Sequence, residues 1–202
     1  MEPFASFTGV AAPLDSVDVD TDQIAPTRFL LKPRAEGDYG AHLLHDLRYD
    51  ERGEERAAFI LNQKPFRRAE ILVANDNFGS GSSREQAAWC CADFGFKVII
   101  APSLGDIFKA NCAKLGVVPA IVDGEALERL RQLLHQSPGT EVTVDLVERR
   151  VLGPGNWNEP FDIEDYFRSR LLQGMDDFDL SNKHTQRMSD FQQDYRDRFP
   201  WS

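Results

Sequence analysis

The sequence predicts an α/β domain with parallel strands, and three observations carry that reading. Short apolar runs with β-branched content recur at residues 70–74, 97–101 and 117–122. Helix-like stretches beginning near Ser83 and Ser103 separate them, and strand-helix alternation favours parallel pairing. Gly95 and Gly116 stand where those helices should stop.

The remaining elements follow in order. Residues 32–55 are charged and carry Gly37, Gly40 and Gly53, which reads as loops around a short helix over 41–47, flanking a substrate entrance. Within it His42 and His45 have i, i+3 spacing, a geometry that can hold a metal. No acidic or cysteine ligands join them in a recognisable array, so a surface or core-edge pair is the favoured reading. Ser103 with Asp106 resembles a helix start. Residues 141–147 alternate polar and apolar, as a strand with one wet face does, and 149–152 can pair with it. Residues 153–156 form a turn, and 163–173 read as helical. Met188, Phe191, Tyr195 and Phe199 then make an apolar stripe at helical spacing on a polar tail. Such a stripe needs a partner surface, its own domain being favoured over another subunit. These features divide the chain into a domain over 1–175 and a tail with an amphipathic helix over 176–202.

Composition excludes several functions. A chain of 202 residues buries roughly 70% of its unfolded surface, so no disulfide or metal staple is required. There is no 18-residue apolar run, and residues 1–4 do not resemble an export leader, so the expected compartment is the cytoplasm. A net charge of −10 argues against nucleic acid or an anionic membrane as partner. Cys90, Cys91 and Cys112 form no Cys-x-x-Cys pair, and adjacent cysteines on a helix point apart. They read as reduced core residues rather than cluster ligands.

The chemistry concentrates in Asn77-Phe78-Gly79-Ser80-Gly81-Ser82-Ser83-Arg84-Glu85, which follows a strand and opens a helix. Gly79 and Gly81 permit positive φ and close backbone approach, while a helix N-terminus beside two hydroxyls and a guanidinium suits a small carboxylate or phosphate. The run lacks the Gly-Lys-Ser/Thr ending of a phosphate-binding Walker loop and the third glycine of a dinucleotide fingerprint. It also lacks the spacing of a nucleophile elbow. Two readings of Ser82 stay open, since Ser82 and Glu85 also spell a capping box. Arg84 directly after the turn favours bidentate carboxylate binding over a surface role. Asp22 reads either as an active-site carboxylate or as an Asx-turn residue before Pro26.

The run resembles the signature of the swivelling domain of the aconitase superfamily and, more closely, the small subunits of 3-isopropylmalate dehydratase. Residues 13–26, with Asp20-Thr21-Asp22-Gln23-Ile24-Ala25-Pro26, and residues 95–108 with Asn111 extend the resemblance over most of the chain, weakest after Gly174. The resemblance implies a swivelling β/β/α fold. It implies a hydro-lyase subunit that isomerises 2- and 3-isopropylmalate by dehydration and rehydration in leucine biosynthesis. The implied partner is a separate large subunit, in a heterodimer or heterotetramer, which carries a 4Fe–4S iron-sulfur cluster; no metal ligand is expected in this chain. By match to the motif Ser82 is the base, with Ser83, Arg84, Gly81 and Asp22 binding a small diacid. Clustered cations and N–H donors would favour its alkoxide. Substrate choice is expected in the loop after Pro26, where Leu30 and Leu31 suit an isopropyl group and Arg34 a more polar one.

Two positions depart from the family pattern. Gln86 stands where histidine is usual, and Ser80 where cysteine is common. Glutamine replaces one histidine hydrogen bond but cannot titrate near neutrality. This keeps open a paralogous hydro-lyase acting on a methylated malate or maleate. A non-catalytic anion-binding regulatory module is a further alternative, although it would need Arg84 and not the Ser82 hydroxyl.

Overall fold

The structure is a computed structural model that describes residues 1–31 and 33–201. Among these residues seven strands form one sheet: β1 (Ser6–Pro13), β2 (Ile71–Val73), β3 (Val98–Ala101), β4 (Val118–Ile121), β5 (Glu141–Asp145), β6 (Arg150–Leu152) and β7 (Asn158–Pro160), in the order β4-β3-β2-β1-β5-β6-β7. Strands β1 to β4 pair in parallel, in register Ala12↔Leu72, Leu72↔Ile99 and Ile99↔Pro119. Strands β5 to β7 add antiparallel, with Thr8 opposite Thr143. The three apolar runs are thus β2, β3 and β4, and β5 has the expected wet face, burying Val142 and Val144 but not Thr143.

The helices are α1 (Thr21–Ile24), α2 (Tyr39–His42), α3 (His45–Arg48), α4 (Gln86–Phe94), α5 (Asp106–Lys114), α6 (Gly124–Gln136), α7 (Asp165–Gln173), α8 (Asp177–Asn182) and α9 (Thr185–Arg198). Strand residues alternate between two cores. Leu72, Ala74, Ile99 and Ala101 pack with Ala88 and Cys91 of α4, while Ile71, Val73, Val98 and Ile100 pack with Leu127 and Leu130 of α6. Coverage of both faces explains why these strands are apolar throughout.

Several sequence expectations need correction. The helix expected from Ser83 begins at Gln86, with no side-chain cap, so the capping box between Ser82 and Glu85 does not form. The helix expected near Ser103 begins at Asp106; the Ser103 hydroxyl instead accepts the Asn77 backbone N–H at 2.8 Å. The single helix over 41–47 is two short ones, broken where Leu44 takes φ 51°. Strand β1 and helix α6 went unread. The Gly-Val-Ala-Ala-Pro stretch of β1 has little β-branched content, yet it lies at the sheet's centre with Ala11 and Ala12 fully buried. Helix α6 carries ordinary signals: Asp123 accepts the Ala126 N–H at 3.0 Å, and Ala126, Leu127, Leu130 and Leu134 are buried at helical spacing. In the tail, Met188, Phe191 and Tyr195 are exposed. No helix among the described residues is long and apolar enough to cross a membrane.

Candidate active site

The carboxyl ends of β1, β2 and β3 deliver three loops to one end of the sheet, where ligands of parallel α/β sheets bind. The loops continue the strand order as single bridges, Asp20↔Ser80 and Phe78↔Leu104. Gly79 N–H donates to Val19 O at 2.7 Å, Thr21 N–H to Ser80 O at 2.9 Å and Gly105 N–H to Phe78 O at 3.0 Å. Two glycines make this approach possible. A Cβ on Gly79, whose φ is +76°, would lie 2.4 Å from the Phe108 ring, and one on Gly105 would lie 2.3 Å from Gly79 O.

Ser82 is the junction of the site. On one side it lines an open cavity of about 310 Å³ with Gly81, Ser83, Asp106 and Ile107. On the other it meets α1, where its Oγ lies 2.7 Å from Thr21 Oγ1. Arg84 Nε–H donates to Ser82 Oγ at 3.0 Å, and the Arg84 backbone N–H reaches the same oxygen at 3.4 Å. Arg84 Nη1 then donates to Asp22 Oδ1 at 2.5 Å. The Thr27 hydroxyl donates to the same carboxylate oxygen at 2.9 Å. The Asp22 carboxyl is held below its ordinary range, first by the Thr27 hydrogen bond and then by Arg84, against partial desolvation. A hydroxyl oxygen that accepts a guanidinium and a backbone N–H is biased toward its anionic form, the requirement for a serine base. Because α4 starts at Gln86, these donors come from the loop and from Arg84 and not from the helix N-terminus.

A protein-family model described as the aconitase C-terminal domain matches residues 1–124. The 3-isopropylmalate dehydratase small subunit of Rhodospirillum centenum is 42% identical over 202 residues, covering 100% of this chain and 99% of that protein. The chain belongs to the family of 3-isopropylmalate dehydratase small subunits. The small subunit of Leptospira interrogans is also 42% identical, over 203 residues covering 100% of this chain and 98% of that one. The crystal structure of a 3-isopropylmalate dehydratase from Methanocaldococcus jannaschii superposes with TM-score 0.65, over 92% of this chain and 98% of that chain, at 24% identity. The α/β swivelling-domain fold expected from sequence is the fold observed.

In this dehydratase small subunit Ser82, Arg84 and Asp22 converge through hydrogen bonds, and of the three Ser82 lines the cavity, together with Gly81 and Ser83, while Arg84 and Asp22 stand behind it. The loop after Pro26 divides. Leu30 packs against the core, Leu31 is 92% exposed, and Arg34 is paired with Asp93 at 2.5 Å beside the Trp89 ring. Arg34 is therefore turned toward α4 and not into the cavity. Thr21 and Thr27 were missed as site residues, though both lie in or beside the quoted Asp-Thr-Asp segment.

His42 stacks on Phe29 with centroids 4.0 Å apart, and His45 packs on Phe29 and Tyr49. Among the described residues no group of three or more histidine, cysteine or acidic side chains is placed to hold a metal. Cys90, Cys91 and Cys112 are buried, and burial pushes the Cys90 thiol up to about 12 and raises the other two. The three thiols lie in the core among apolar side chains, Cys90 and Cys91 on α4 and Cys112 on α5.

Proposed function

We propose that this chain supplies the proton-transfer and carboxylate-binding half of a cytoplasmic active site that interconverts 2-isopropylmalate and 3-isopropylmalate in leucine biosynthesis. The other half belongs to a large subunit, which carries the 4Fe–4S cluster. The observation that carries the reading is the convergence of Asp22, Ser82 and Arg84 from two loops at the carboxyl end of the sheet.

The reaction removes a weakly acidic proton next to a carboxylate. Its C–H bond breaks, the proton passes to Ser82 Oγ, and the electron pair forms the C=C bond as hydroxide leaves the neighbouring carbon. The iron-sulfur cluster supplies the Lewis acid for that hydroxide. Rehydration in the opposite sense returns the proton from Ser82 to the carbon that lost hydroxide. Negative charge grows on the adjacent carboxylate, and cationic and N–H donors fixed beforehand lower that barrier. Arg84 fills this role, with Ser83 and the backbone at Gly81 holding the same carboxylate. Asp22 orients Arg84. Leu31, with Leu30 beneath it, meets the isopropyl group when the partner covers the loop.

The test combines the chain with its large subunit and follows the unsaturated diacid from 2-isopropylmalate by ultraviolet absorbance. Turnover by the pair, and by neither chain alone, supports the reading. No turnover with a cluster-loaded partner, alongside turnover of a methylated malate, would transfer the site to that diacid and give Gln86 its significance.

A further inference from the structure

Thr21 has a buried side chain, 1% exposed, on a short helix whose position is set by the Thr21 N–H to Ser80 O bond. Its Oγ1 lies 2.7 Å from Ser82 Oγ and accepts the Ser82 backbone N–H at 3.2 Å. Only one of the two hydroxyls donates in that short contact. If Ser82 donated, Thr21 Oγ1 would receive two protons and its own would need a buried acceptor, and no hydrogen bond among the described residues provides one. If Thr21 donates, its proton is satisfied, and the two lone pairs of Ser82 Oγ receive Thr21 O–H and Arg84 Nε–H, with the Arg84 backbone N–H farther off at 3.4 Å.

We infer that Thr21 is a positioning residue whose hydroxyl donates to Ser82 Oγ, joining Arg84 Nε–H as the second close donor to that oxygen, so that the pair favours the alkoxide and leaves its remaining lone pair for the substrate proton. The inference rests on Ser82 being the base. Thr21 keeps its proton throughout: substrate C–H breaks, the proton goes to Ser82 Oγ, and the electron pair goes into the new C=C bond. β-Branching holds Thr21 to few rotamers, so the donor needs no reorganisation during the reaction. The charged groups around Ser82 are Arg84 and Glu85 on its own loop, Asp20 and Asp22 at α1, and Asp106 across the cavity, all retained in variants at Thr21.

The experiment uses the assembled two-subunit enzyme with Thr21→Val, Thr21→Ala, Thr21→Ser and Ser82→Ala. Assembly is checked by co-purification. Loss of one alkoxide donor is expected to lower kcat roughly 10- to 100-fold, leave KM within about twofold, and move the acid limb of the kcat/KM profile up by about one pH unit. Thr21→Ser should restore most of the rate. A native rate and profile in Thr21→Val, with Ser82→Ala inactive, would overturn the role of Thr21 while leaving Ser82 as the base. An active Ser82→Ala would overturn the base assignment and the inference with it. Equal loss in Thr21→Ser and Thr21→Val, without a shift of the acid limb, would reduce Thr21 to a packing residue.

Discussion

Arg84 Nη1 lies 2.5 Å from Asp22 Oδ1 while Nε of the same guanidinium donates to Ser82. One planar group thus fixes a carboxylate on α1 to a hydroxyl on the loop after β2. Nη1 is further occupied by Thr27 Oγ1 at 3.3 Å and Ala25 O at 3.4 Å. The hydrogen bonds of Arg84 among the described residues run through Nε and Nη1, and none engages Nη2.

This division of the guanidinium predicts unequal losses. Arg84→Lys removes the planar bridge and should lower kcat/KM by about 100- to 1000-fold. Asp22→Asn keeps the hydrogen-bond acceptor and removes only its charge, so the loss should be about tenfold. Steady-state kinetics of the two variants in the assembled enzyme checks the order.

The glycines at the loop crossing predict a stability effect separate from chemistry. Gly79→Ala forces a Cβ against the Phe108 ring at positive φ, and Gly105→Ala forces one against Gly79 O. Each should destabilise the fold by about 1–3 kcal/mol, measured by urea unfolding. Gly53, also at positive φ but with open space around it, should lose less on the same substitution.

The Arg28–Asp46 ion pair sits beside the loop that carries Thr27. Its hydrogen bond and charge, helped by His45, hold the Asp46 carboxyl at about 2. A carboxyl depressed in the fold adds stability that is present above its ordinary value near 3.9 and disappears as pH falls through about 2. Both side chains are more than half exposed, which limits the contribution to about 0.2–1 kcal/mol. Asp46→Asn should therefore be less stable by that amount at pH 7, with the gap closing between pH 4 and 2 in a denaturation series.

The buried thiols predict inertness. Cys90, Cys91 and Cys112 should resist a thiol-specific reagent at pH 8 in the folded chain and all react after denaturation. Rapid labelling of the native chain would contradict their placement in the core.

The parallel half of the sheet was legible because β2, β3 and β4 are buried on both faces and therefore read as continuous apolar runs. Strand β1 was not, because its central place is filled by alanines, glycine and proline, which carry little strand signal. The loop motif named Ser82 and Arg84, but local sequence suggested a capping box for the serine. What displaced that cap is Thr21, 61 residues away in sequence, whose hydroxyl takes the Ser82 amide and meets its Oγ. The same blindness to tertiary partners affected Arg34. Nothing in its neighbourhood announced Asp93, 59 positions later, as the carboxylate that turns it away from the cavity.

Ser82 as the base is tested most directly by the kcat/KM of Ser82→Ala in the cluster-loaded, two-subunit enzyme with 2-isopropylmalate. A fall of at least about 1000-fold is expected, with assembly intact and substrate binding near native. A rate within a few-fold of the native enzyme would contradict it and move proton transfer to another group.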